Sequence, residues 1–132
     1  MTLPGTINHQ DAFLKSPPAG FDGVFDWSWT EGCFGNGLIK PMDIDGMVER
    51  RGQFLIFETK NVGVQIPQGQ LITLKQLHSL RVFSVMIIHG KTLPELCSCW
   101  YPNSNHKAEL HGVDEARAWV AKWYAWADRG AA

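Results

Sequence analysis

The chain has 132 residues, 45% of them hydrophobic, six tryptophans and a formal net charge of −1. That apolar content excludes a disordered chain, and the length suits one domain that buries roughly two-thirds of the surface its unfolded form exposes. The near-neutral charge excludes a global basic field, so any contact with nucleic acid must use a local patch, with a cation offsetting part of the phosphate repulsion.

Cys33, Cys97 and Cys99 are an odd set and make no disulfide framework. Cys97 and Cys99 fall two apart in a strand-like run and share one face. They read as structural thiols, because no second cysteine pair or His-x-x-x-His accompanies them. The N-terminus lacks the basic, apolar and small-residue segments of a secretory signal, and no apolar run reaches membrane-spanning length. A cytoplasmic protein with no membrane partner is expected.

In chain order, residues 1–20 carry Pro4, Pro17 and Pro18 and read as an N-terminal arm with a short helix at 9–15. Residues 21–40 mix aromatics with glycines and suit a short helix over 24–31; Glu31 is the one acid there that could reach a site on the sheet, and it reads first as a solvated acid. Residues 41–60, PMDIDGMVERRGQFLIFETK, read as a β-hairpin turning at Arg50-Arg51-Gly52. Strand residues two apart share a face, so Asp43 goes with Asp45, and Glu58 with Lys60. Residues 61–69 form a loop with two glycines and a proline. The spacing of Leu71, Leu74, Leu77 and Leu80 predicts a helix over 70–80, with Gln70 opening an inward stripe through Leu74, Leu77 and Arg81. A Gln on the buried side of a first turn needs a partner, either the acidic cluster or a substrate, unless it serves as a cap. Residues 82–89 are nearly all apolar, as for a strand buried on both faces in parallel pairing, which makes residues 52–89 a β-α-β unit. Residues 94–101 suggest a further strand nearer an edge, and 107–111 a short strand or extended loop. The closing helix has Asp114 near its N-cap, a core face of Ala116, Trp119, Val120, Trp123 and Ala127, and Gly130 beyond its end. No internal repeat appears, and residues 1–132 read as a single domain.

The hairpin carries the chemistry. Carboxylates beside a buried strand are costly unless they bind a cation or pair. A two-residue loop at Arg51-Gly52 puts Asp45 opposite Glu58, about 5 Å apart at Cβ. A four-residue loop would put Asp43 there. A regular three-residue loop would separate acids and Glu58 unless Gly52 formed a bulge. Two carboxylates make a hard oxygen site suited to Mg²⁺, with the backbone carbonyl of Thr59 as a further ligand. Such an ion lowers the pKa of a bound water and polarises a phosphodiester oxygen, while Lys60 supplies fixed positive charge. A calcium loop is disfavoured because the final Glu of its twelve-residue pattern is missing. A glycosidase is disfavoured by the lysine and the short chain.

With Pro41-x-Asp43-x-Asp45-Gly46 followed by Glu58-Thr59-Lys60 and then Gly69-Gln70, the segment from 39 to 89 resembles the PD-(D/E)xK nuclease superfamily. That is the fold of many restriction endonucleases, Holliday-junction resolvases and phage or recombination exonucleases. The resemblance implies an α/β fold, a restriction-endonuclease-like αβββαβ core with a central mixed sheet flanked by helices. It implies a Mg²⁺-dependent nuclease, with Mn²⁺ as a substitute, acting on duplex, branched or single-stranded DNA. It assigns catalysis to Asp45, Glu58 and Lys60 with Gln70 in support, and metal ligation to Asp45, Glu58, Thr59 and Asp43. A homodimer is expected by analogy with members that cut two strands. Lys40, Arg50, Arg51, Lys75, Arg81 and Lys91 are the candidate phosphate contacts. The alternative is a nuclease-like fold serving as a non-catalytic DNA- or protein-binding module.

Overall fold

The computed structural model describes residues 26–131. The chain divides into two compact units, Met1–Gly46 and Met47–Ala132. The arm at 1–20, with its helix at 9–15, lies outside the described residues.

In the first unit the helix expected over 24–31 is, within its described part, a single 3-10 turn, Ser28–Thr30. Gly32 and Gly35 follow it with φ of 83° and 79°, a left-handed conformation that ends a right-handed helix. Asp26 Oδ1 accepts a hydrogen bond of 2.9 Å from the Ser28 N–H, which lowers the pKa of that carboxyl. Glu31 is exposed, a solvated acid.

The second unit is built on a five-stranded mixed sheet in the order β1-β2-β3-β4-β5. The strands are β1 (Gly46–Arg50), β2 (Gln53–Lys60), β3 (Phe83–His89), β4 (Leu96–Trp100) and β5 (Lys107–His111). Helix α1 (Gln68–His78) connects β2 to β3, and α2 (Gly112–Asp128) closes the chain. β2 and β3 pair in parallel, whereas β3 with β4 and β4 with β5 are antiparallel. The expected β-α-β unit is therefore present: a parallel pair needs a crossover, and α1 provides it. Within the described residues the order is ββαβββα, with two strands before α1 where the expected αβββαβ core has three.

β1 and β2 are joined by the two-residue turn Arg51-Gly52, with φ of 50° and 81°. Positive φ at both positions is the type I′ geometry that matches strand twist. Glycine accepts it freely, and Arg51 adopts it at some steric cost. The two-residue loop is one of those the sequence left open, and it sets the even register.

Alternation sorts the sheet into two faces. Leu55, Met86, Cys97 and Cys99 pack with Ala116, Trp119, Trp123 and Ala127 of α2 in one buried cluster. These are helix positions read from the sequence as core, with Val120 of the same stripe packed partly buried against the cluster, and both cysteines are free thiols buried within it. Burial raises the pKa of both thiols, Cys99 to about 12 with Cys97 beside it. The Trp123 indole N–H donates to Ser84 Oγ at 3.0 Å, so the buried hydroxyl and the indole satisfy each other.

The opposite face carries Phe54, Ile56, Glu58 and Lys60 from β2. Phe54 stacks on Phe83 with ring centroids 5.0 Å apart. α1 covers this face: Leu74 is 2% exposed and His78 meets Trp100 edge-on. The helix runs two residues earlier at each end than the leucine spacing predicts. Pro67, with φ of −56°, stands as its N-cap, and Arg81 turns left-handed at φ of 71° just past its end. The inward stripe accordingly holds through Leu77, while Arg81 lies outside the helix and is exposed.

Candidate active site

Glu58 and Lys60 occupy the C-terminal end of β2, an interior strand between β1 and β3. Phe54 to Phe57 are apolar and place this end of the strand inside the sheet, so Glu58 is only 2% exposed. A carboxylate taken that far from water requires a compensating charge or donors. Lys60 Nζ lies 3.5 Å from Glu58 Oε1, on the same face two residues on. The separation exceeds the roughly 2.7–2.9 Å of a tight charge-assisted hydrogen bond. The ammonium is thus held chiefly by charge, and with its side chain 20% exposed it keeps access to solvent.

The neighbouring strand fixes the backbone here. Glu58 is in register with Ile87, and Lys60 with His89. The Gly90 N–H donates to the Lys60 carbonyl at 3.0 Å, continuing the ladder past the end of β3. Gly90 is required by space, since a Cβ there would overlap the Leu93 carbonyl oxygen. His89 shares the face of Lys60, and its Nε2 is hydrogen-bonded to the Val64 carbonyl at 2.9 Å, tying the loop after β2 to the strand beside it. The sequence treats His89 only as the end of an apolar run; the parallel register is what sets it next to Lys60.

Gln70 lies in the first turn of α1, the helix over this face. Its Oε1 is buried and has no hydrogen-bond partner, so it caps nothing. A buried amide oxygen in that condition is an acceptor awaiting a donor. Thr59 points to the other face of β2 and is exposed, and its backbone is paired in register with Ile88.

Asp43 and Asp45 are not strand residues, contrary to their expected place on the hairpin. β1 starts at Gly46; Asp45 forms a bend ahead of it, and Asp43 lies in the extended segment before that. Asp disfavours strands and favours bends, and Pro41 has no N–H to donate to a ladder. Among the described residues no three His, Cys, Asp or Glu side chains gather as ligands for one ion.

The expected phosphate contacts separate. Arg50 is committed elsewhere: its Nε donates to Asp128 Oδ1 at 2.6 Å, Nη2 approaches the same oxygen, and the guanidinium sits 5.8 Å from the Tyr124 ring centroid. That carboxylate raises the Arg50 pKa, and Arg51 Nε is 4.0 Å from it as well. Arg50 and Arg51 therefore tie β1 and its turn to the end of α2. Lys40 and Lys91 are exposed. Lys75 and Arg81 line a common cavity with Lys107, which the sequence reading did not single out.

No protein-family model, curated protein or solved structure matches this chain.

Proposed function

We propose that the protein is a metal-dependent nuclease that hydrolyses DNA phosphodiester bonds, with its centre at Glu58 and Lys60. The carrying observation is the buried Glu58 carboxylate 3.5 Å from a solvent-accessible ammonium at the end of an interior strand. A structural ion pair has no need of an open ammonium, whereas a phosphodiester hydrolase needs a hard anionic ligand beside fixed positive charge. The buried, unpartnered Gln70 Oε1 in α1 gives further support.

The donors suit Mg²⁺ or Mn²⁺. They are carboxylate and carbonyl oxygens, few in number, as suits an ion that retains several waters. Glu58 and the Thr59 carbonyl would hold it. Bound there, the ion would supply a water of lowered pKa and a polarised phosphoryl oxygen. Lys60 holds positive charge where the phosphorane charge develops and orients the attacking water. Glu58 keeps that ammonium in place before substrate arrives. Gln70 accepts a hydrogen bond from the substrate or the attacking water through Oε1. The restriction-endonuclease-like core belongs to the same proposal, with β2, α1 and β3 as its central β-α-β unit.

The second reading, a nuclease-like module that binds without cutting, draws on the same pair: Lys60 already neutralises Glu58, as a purely structural bridge would. Incubation with linear, branched and single-stranded DNA in Mg²⁺, Mn²⁺ or chelator separates the two. The nuclease cuts only with metal, and Lys60→Ala removes cutting while the fold is kept. Intact substrate under every condition supports the binding module.

A further inference from the structure

At the C-terminal end of α1 lies a cavity of about 770 Å³, lined by Lys75, His78, Arg81, Trp100, Asn103 and Lys107 together with the adjoining loop. Its lining includes no Asp or Glu. Among the described residues, none of its three cations takes part in a salt bridge. In a chain of net charge −1 that is a local concentration of unpaired positive charge. Lys75 and His78 in the last turn of α1 would offset the helix dipole in any helix. Arg81 and Lys107 come from other elements, and the dipole does not account for them.

The floor of the cavity is aromatic and held by its contacts. Trp100 is 4% exposed, the Lys107 ammonium stands 4.5 Å from its ring centroid, and His78 abuts it edge-on. His78 is fixed in turn by the 2.7 Å hydrogen bond between Nε2 and the Tyr101 carbonyl. The rim is polar. Asn103 holds a left-handed φ of 60°, and Ser104 Oγ accepts the His106 N–H at 2.9 Å, which leaves its own proton to donate. Cations above a fixed aromatic floor, with amide and hydroxyl groups at the edge, match a chain of phosphates and sugars better than an apolar ligand.

The register relates this cavity to the candidate active site. Trp100 pairs with Val85, and Val85 with Ile56, two residues before Glu58 on the same face. The offset is about 7 Å along the strands and about 10 Å across them, from standard sheet spacings. One nucleic-acid strand can span that distance.

We propose that the Lys75–Arg81–Lys107 cavity binds the phosphodiester backbone of the nucleic-acid strand at a point away from the scissile bond. This rests on the nuclease reading for the identity of the polyanion.

The test is fluorescence anisotropy with a labelled 20-nucleotide single strand and its duplex, in EDTA, across a NaCl series. The variant K75Q/R81Q/K107Q should bind at least tenfold more weakly at low salt. The slope of log K against log salt should fall by about 2 for the single strand and about 3 for the duplex. K75Q/R81Q should show an intermediate loss, which guards against a folding defect in the triple variant, and matched circular dichroism checks both. R117Q/K122Q, on α2, should bind as wild type. Inorganic phosphate and AMP should compete only weakly. Unchanged affinity and slope in the triple variant overturn the proposal. So does failure of the wild type to bind either strand form, or AMP binding as tight as the oligonucleotide, which would mark a mononucleotide site. Cleavage by wild type and E58Q is read in parallel. Metal-dependent cutting with an unaltered triple-variant slope sinks the cavity and spares the nuclease; no cutting with a reduced slope does the reverse.

Discussion

Lys60 Nζ stands 3.5 Å from Glu58 Oε1, the carboxylate almost closed off from water and the ammonium still in contact with it. The asymmetry makes Lys60 stabilising as well as functional. Lys60→Met keeps the stem and removes the charge, and should lower stability by about 2 kcal/mol, below the 3–5 kcal/mol of a fully buried pair because Lys60 is partly exposed. Urea denaturation at neutral pH measures it. No loss would mean that this pair does not hold the charge of Glu58.

Gly90 gives the same site a backbone test. Its N–H binds the Lys60 carbonyl, and any Cβ would meet the Leu93 carbonyl. Gly90→Ala should therefore cost about 1–3 kcal/mol, in the range of overpacking, and should reduce cleavage by displacing Lys60. Parallel unfolding and cleavage measurements check it. Wild-type behaviour in both would show that the β3–β4 turn yields without moving β2.

On the other face the Trp123–Ser84 hydrogen bond ties α2 to β3. Ser84→Ala leaves the buried indole N–H without an acceptor and should cost about 1–3 kcal/mol. On a Trp123→Phe background the same change should cost much less. A double-mutant cycle by chemical denaturation reads the coupling, and additive effects would remove the bond from the account.

The buried thiols predict a pH dependence. Cys99 titrates at about 12 in the folded chain against an ordinary 9.0, because burial disfavours the thiolate. Above pH 9.0 the unfolded chain therefore binds fewer protons than the folded one. This contribution to stability is complete below that pH and declines as pH climbs towards 12. Cys97 shifts in the same direction, and Cys33 is exposed. Iodoacetamide at pH 8 should label Cys33 alone in native protein, with mass spectrometry of the digest as readout. Rapid labelling of Cys97 or Cys99 would contradict their burial.

Periodicity made most of the fold legible. The continuous apolar runs of β2 and β3, with helical spacing between them, specify a parallel crossover because few other arrangements bury both strands. The α2 stripe from Ala116 to Ala127 is read directly from its spacing. Strand ends were less legible. Asp43 and Asp45 alternate as strand residues do, but alternation carries no information on whether a backbone is paired, and Asp favours the bend that forms. The turn at Arg51-Gly52 was one of several lengths that parity allowed, and Arg51 adopts a conformation that sequence alone disfavours. Arg50 reads from the sequence as a candidate phosphate contact because Asp128, its partner, is 78 residues away. Lys107 and His89 gain their significance from neighbours on other strands, which only register supplies.

The most direct test of the central claim is supercoiled plasmid incubated with wild type and with E58Q, each in Mg²⁺, Mn²⁺ or EDTA. Wild type should nick or linearise the plasmid with either metal and leave it intact in EDTA, and E58Q should leave it intact with its circular dichroism spectrum unchanged. Equal cutting by E58Q, or no cutting by wild type in either metal, would contradict the claim.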